Sequence, residues 1–272
     1  MDISEIHKEL IPEIQEELSF IAAGYRMEEI GDVIVRLSRY FRALGICHLL
    51  ESADVNLFRE NLVRSGYARR YFLRNSRADG NDRDRYLAIG RTEAFMDSVA
   101  AGHLRLAQEI AELSTHEWEP DWEYEDDLCF FLFLHNIIIN PRQLSDSQFQ
   151  EILVRFDKAL EGGESLRLEV CKALITKDNE NFSAALNELM EAKKELIEEK
   201  RERMLEPDPS TYVFWPRSFV SIEGLALIKI AETVGIKVDE EFPLCPWVGR
   251  LPTTDQEYKD IFQEIAQARA KG

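Results

Sequence analysis

The sequence has few of the signals that would make it a β-protein or a recognisable enzyme. It contains no Asn-Gly hairpin turn and no run of Val, Ile and Thr at period two, so a sheet-based fold is excluded. It has no HExxH, no GxSxG, no Walker loop and no GxGxxG. Its five histidines, at positions 7, 48, 103, 116 and 135, are scattered, and none belongs to a Glu-x-x-His motif of the kind a di-metal helical bundle needs. No catalytic residue, metal ligand or cofactor is assigned on this basis. The four cysteines, Cys47, Cys129, Cys171 and Cys245, form no CxxC pair, so reduced thiols in a cytoplasmic protein are expected. The start, "MDISEIHKEL", lacks the basic and then apolar pattern of a signal peptide. The longest apolar run, 128–139, is interrupted by His135 and Asn136 and is too short to span a bilayer; it reads as a buried helix. Within it His135 reads as a hydrogen-bonded core residue.

Positive charge is also scarce. Lys plus Arg number 33 against 51 Asp plus Glu, a net charge of −18, which repels nucleic acid and anionic membranes and attracts basic partners. Hydrophobic residues make up 45% of the 272, enough for a packed core and too many for a disordered chain.

What remains is helical pattern almost throughout. Helices are expected over 11–23, 27–42, 46–64, 86–101 and 104–113, with Pro12 in a first turn and Gly24 and Gly102 at helix ends. The second half is better punctuated. Asn140-Pro141 stops the apolar helix. Ser145 with Gln148, and Thr254 with Glu257, have capping-box spacing. Further helices are expected over 165–176, from the "KDNEN" break to about 205, and from about 219 to Gly235. Tyr258, Ile261, Phe262 and Ile265 form the stripe of a last helix. "FMDSVAAGHLRLAQEIAEL" and "VCKALITKDNENFSAALNEL" echo each other as helix, break, helix. The expected fold is all-α: one solenoid-like domain over 1–272 built of stacked antiparallel hairpins, with an N-terminal helical subdomain over 1–80 as a variant of it.

Two stretches stand out by charge. In "HEWEPDWEYEDD", 116–127, every odd position from Glu117 to Glu125 is acidic, while Trp118, Pro120, Trp122 and Tyr124 take the even ones. Pro120 disfavours helix at Glu119, so an extended strip is expected, its aromatics on the helical body and its acids in water. Glu117, Glu119, Asp121, Trp122, Glu123 and Glu125 are the candidate partner-binding residues, because aromatics supply hot spots and charges steer encounter. The bland alternative is a loop pinned by aromatics, with Asp126 and Asp127 at the N-terminus of the next helix. The second stretch, 59–91, packs nine arginines among four acids. Phosphate or nucleic-acid binding is one reading. Pairing with acidic parts of the same chain is the better one, since acids interrupt the cluster and no Gly-rich loop accompanies it.

The C-terminal third carries a resemblance. "ALITKDNENFSAALNELMEAKKEL" is followed by "FWPRSFVSIEGLALIKIAETVGI" and "EFPLCPWVGR". Asp178 and Phe182 mark a short break before a long helix. Leu225, Ala226, Ala231 and Gly235 mark a helix of small and apolar residues, and Pro243 and Pro246 an extended tail. This order over about 85–250 resembles the immunity protein 49 family of bacterial polymorphic-toxin systems, and related all-α immunity proteins share a comparable tail. The resemblance implies an all-α protein that binds and neutralises a cognate toxin delivered by a neighbouring cell, often through a contractile (type VI) secretion system, without catalytic residues. Acidity adds that the toxin is basic, such as a nuclease. The alternatives are a helical scaffold for an endogenous basic partner and an enzyme of unrecognised type.

Overall fold

The structure, a computed structural model, describes residues 2–81, 83–91, 93–142, 144, 147–203, 209–252 and 257–269. Twelve α-helices occur among them: α1 Ile3–Ala22, α2 Gly31–Ser52, α3 Val55–Ala78, α4 Ala94–Ala100, α5 Leu104–Leu113, α6 Glu125–Ile139, α7 Ser147–Ala159, α8 Leu166–Thr176, α9 Asn179–Arg203, α10 Pro209–Arg217, α11 Ile222–Val234 and α12 Ile261–Arg269. Strands are absent among the described residues; two isolated bridges, Ala88 with Thr115 and Phe242 with Cys245, are the only β pairings there. From α1 to α9 neighbours in sequence pack on one another along most of the chain. α4, α2 and α3 then receive α11, α10 and α12, which closes the stack.

The amphipathic pattern explains most of this. α1 buries Ile6, Leu10, Ile14, Glu17 and Ile21, spaced three or four apart on one face. α6 is the opposite case. Its run "LCFFLFLHNIII" has little amphipathic character because it is apolar all round, and Leu128, Phe130, Phe133, Leu134 and Ile137 are all at 0% exposure. Such a helix is stable only in the centre, where α5, α7, α8 and α11 cover it. Leu225 and Ile230 of α11 are buried as expected. Buried apolar side chains form one continuous cluster from Ile6 to Phe262.

Several expected boundaries are corrected. α1 begins at Ile3 rather than 11, with the Asp2 carboxylate accepting the Ser4 N–H at 3.2 Å, and Pro12 lies inside it. The break expected at 43–45 does not exist. α2 runs through Gly45 to Ser52, and the chain turns at Ala53 (φ 52°) and Asp54, whose carboxylate caps Leu57 N–H at 2.9 Å. Gly45 marks a helix crossing instead of a helix end: a Cβ there would sit 2.8 Å from the Phe58 carbonyl of α3. The helix expected over 86–101 is two 3₁₀ turns, Arg85–Leu87 and Ile89–Arg91, and the short α4. Ser221, accepting from Gly224 N–H at 3.1 Å, starts α11 slightly later than expected. Ser145 and Thr254, the proposed cap residues, lie outside the described residues.

The arginine-rich stretch is mostly α3 and its exit. Arg69 is buried and donates to the carbonyls of Tyr86, Leu87 (3.0 Å) and Ala88 (3.2 Å). With no carboxylate to pair it, burial pushes its pKa down to about 9. Arg59 donates to the carbonyls of Leu251 and Pro252, and Arg70 pairs with Glu109 (2.7 Å) and Asp260. Arg74 meets the same Glu109 at 3.0 Å. These arginines bind the chain to itself.

Candidate functional site

The acidic stretch 116–127 links α5 to α6, and its conformation departs from the extended strip the sequence implies. Trp122 N–H donates to the Glu119 carbonyl at 2.9 Å, closing a turn with Pro120 at its second position, where the fixed φ of proline suits a turn. The Trp118 indole N–H then reaches over to the Glu123 carbonyl at 3.1 Å. A turn destroys period-two alternation, so the acids separate into two groups.

Glu117, Glu119 and Asp121 are exposed and take no ion-pair partner among the described residues. Glu123 and Glu125 are drawn into the fold. Glu123 is half-buried and accepts the Gly90 N–H at 2.7 Å; burial, with Asp127 nearby, raises its carboxyl above the ordinary range. A Cβ at position 90 would lie 2.6 Å from Glu123 Oε2, so a larger residue there would make the carboxylate shift. Glu125 pairs with Arg155 at 2.7 Å and Asp127 with Arg167 at 2.7 Å, both in the first turn of α6, where negative charge also suits the helix dipole. Arg91 Nε donates to the Trp122 carbonyl at 2.6 Å and fastens the turn from outside.

The aromatics are not all on the helical body. Trp122 is half-buried, Trp118 is 37% exposed, and Tyr124 is 79% exposed and faces solvent. Beside them lies an open groove of about 440 Å³, lined by Gly90, Arg91, Pro120, Asp121, Trp122 and Tyr124 among others. Of the six candidate residues, Asp121, Trp122 and Glu123 line the groove, Glu117 and Glu119 are exposed on the same loop outside it, and Glu125 is tied to Arg155. Two contributors escaped the sequence reading. The Gly90-Arg91 clamp comes from a distant 3₁₀ turn, and no local signal marks it. Tyr124 was assigned to packing because of the alternation.

A second group of charges is internal. Arg42 lies inside the fold against Asp97 and Glu93, and Glu93 also meets Arg217 at 2.7 Å. Glu223 joins Lys193 (2.9 Å) to Arg167 (2.8 Å). Glu93 and Glu223 are each held down to about 2: burial opposes their charge, and Arg42 with Arg217, or Lys193 with Arg167, more than restores it. The cavity these groups share is only about 30 Å³, so the space between them has no room for a substrate. No group of three His, Cys, Asp or Glu with metal-site geometry occurs among the described residues, and no described helix is long and apolar enough to cross a membrane. His135 is buried as expected, but neither ring nitrogen has a hydrogen-bond partner among the described residues. It packs instead against Phe95, ring centres 4.3 Å apart.

An all-α stack with an acidic loop held out from its side is thus on view, and family comparison adds to it. The family model described as Immunity protein 49 matches residues 51–248. The chain belongs to that family. The match runs from the end of α2 to the 3₁₀ turn after α11, and so includes the acidic loop and, apart from Arg42, the internal charge network of this immunity protein 49 member. Comparison with curated proteins and with solved structures found no match.

Proposed function

We propose that this member of the immunity protein 49 family neutralises a cognate protein toxin by stoichiometric binding in the cytoplasm, and that the 116–127 loop is part of the surface that meets it. The observation that carries this reading is the loop itself. Three carboxylates without an ion-pair partner among the described residues, Glu117, Glu119 and Asp121, stand on the same loop as a Tyr124 that is 79% exposed, on a turn held by Gly90 and Arg91. An exposed aromatic on a rigid base is a contact whose ordering cost is already met, and a charged rim steers a partner of opposite sign. In this reading the toxin is basic, arrives from a neighbouring cell by a contractile secretion system, and is blocked by occupancy and not by chemistry. The whole chain, 1–272, acts as one domain, since the apolar cluster runs through both the N-terminal helices and α12.

Co-expression with the product of the adjacent toxin gene tests the proposal. Growth should be rescued by the wild-type chain, and the two proteins should co-purify in a fixed ratio. Failure to rescue, with both proteins soluble, would favour a scaffold for an endogenous partner.

A further inference from the structure

A cavity of the opposite sign lies far from the acidic loop in sequence. It measures about 620 Å³, within the ~300–1,000 Å³ typical of small-molecule sites. Three helices build it. α2 contributes Arg36 and Arg39, α9 contributes Lys193, Ile197 and Lys200 at helical spacing, and α10 contributes Val213, Phe214 and Arg217. No carboxylate among the described residues lines it, in a chain whose net charge is −18. The clustering is therefore local and is no by-product of overall composition.

The cations differ in how they are engaged. Arg36 is taken by Glu17 (2.5 Å) and Asp32 (2.5 Å), Lys193 by Glu223, and Arg217 by Glu93. Arg39 and Lys200 have no carboxylate partner among the described residues; Lys200 rests its ammonium 4.7 Å from the centre of the Phe214 ring. Two cations without a carboxylate partner among the described residues, one a planar fork and one a point charge, thus line a cavity part of whose wall is apolar, made by Ile197, Val213 and Phe214.

We propose that this cleft binds a small organic phosphate, with the phosphate oxygens on Arg39 and Lys200 and the organic group against the apolar wall. Guanidinium and ammonium donors together suit an anion with several oxygens, and the apolar wall would be idle with inorganic phosphate alone. The cleft is distinct from the acidic loop, so the inference stands or falls separately from toxin binding.

The test is calorimetric titration of the full chain at low ionic strength with ADP and, in parallel, with inorganic pyrophosphate and a hexaglutamate peptide. ADP should bind, pyrophosphate more weakly, and the peptide not measurably. In the double variant Arg39→Gln/Lys200→Gln, both exposed positions, the Kd for ADP should rise about tenfold or more, the loss of a charge-assisted contact. Absence of ADP binding, or an unchanged Kd in the double variant, would overturn the proposal. So would pyrophosphate binding as tightly as ADP. Binding of hexaglutamate where ADP fails would reassign the cleft to an acidic protein segment.

Discussion

Arg42 and Asp97 meet completely inside the protein, two-pronged, with Nε to Oδ1 at 2.6 Å and Nη2 to Oδ2 at 2.8 Å. They lie on α2 and α4 and are joined by the Ser65 hydroxyl of α3, which donates to Asp97 Oδ2 at 2.5 Å. Burial opposes the Arg42 charge, but Asp97 and Glu93 more than restore it and hold its pKa above the ordinary range. Removing Arg42 leaves Asp97 buried without its cation, and removing Asp97 leaves Arg42 buried with Glu93 alone. Asp97→Ala should cost about 3–5 kcal/mol in urea denaturation, and Arg42→Met a similar amount. The double variant Arg42→Met/Asp97→Leu should cost less than the sum of the singles, because no uncompensated charge remains.

His135 has its pKa held well below the ordinary histidine range, first by burial and then by His116 and Arg69. A depressed histidine pKa means that the unfolded chain takes up the proton first. Its share of stability is complete above the unfolded value near 6.5 and is lost as pH falls from there toward the folded pKa. The wild-type thermal midpoint should therefore drop between pH 7.5 and pH 5.5, and His135→Met should show a shallower drop, measured in the same buffers. An equal slope for both proteins would place the acid sensitivity elsewhere.

All four cysteines are buried and unbridged. Burial pushes the Cys47 and Cys245 thiols up to about 12 and that of Cys129 up to about 11. The thiolate is the reactive form. Thiol reagent at pH 8 should find almost nothing in the native protein and four equivalents in denaturant without reductant.

In α11, Leu225 is 3% and Ile230 0% exposed. Truncation of either to Ala should cost ~2–5 kcal/mol. Melting at the wild-type temperature would contradict the packing described for this helix.

For the acidic loop, replacing Glu117, Glu119 and Asp121 by Gln, Gln and Asn should slow association with the toxin and flatten its salt dependence, while stability stays within about 0.5 kcal/mol. Tyr124→Ala should act on dissociation, with a loss on the order of 1–2 kcal/mol in binding. Stopped-flow association at several salt concentrations separates the two effects. Unaltered kinetics in both variants would mark the loop as solvated surface.

Much of the fold was legible because the residues that set it act locally. Ser165 punctuates α8 and Gly235 the end of α11, and α6 declares its burial by being apolar all round. What was missed depends on contacts distant in sequence. Gly45 looks like a helix breaker until the Phe58 carbonyl of α3 is set against it. The acidic loop was found, but its shape was not. One hydrogen bond, Trp122 to Glu119, outweighs the alternation, and Gly90 then selects Glu123 as an anchor. The basic cleft was invisible, since Arg39, Lys200 and Arg217 come from three separate helices, each of which alone reads as an ordinary charged face.

The grip of α3 on the far end of the chain sets an order of birth. Arg59 and Arg70 find their partners 190 or more positions later, at Leu251, Pro252 and Asp260, and Phe262 covers Tyr71 with ring centres 5.6 Å apart. At ribosomal speeds of ~5–20 residues per second, α3 leaves the ribosome roughly ten seconds or more before those partners exist. Throughout that interval its cations and aromatic face are open, and a nascent chain halted before Leu251 would keep them so. The moment at which the molecule becomes competent is therefore dictated by a segment made some 190 positions after the helix it completes.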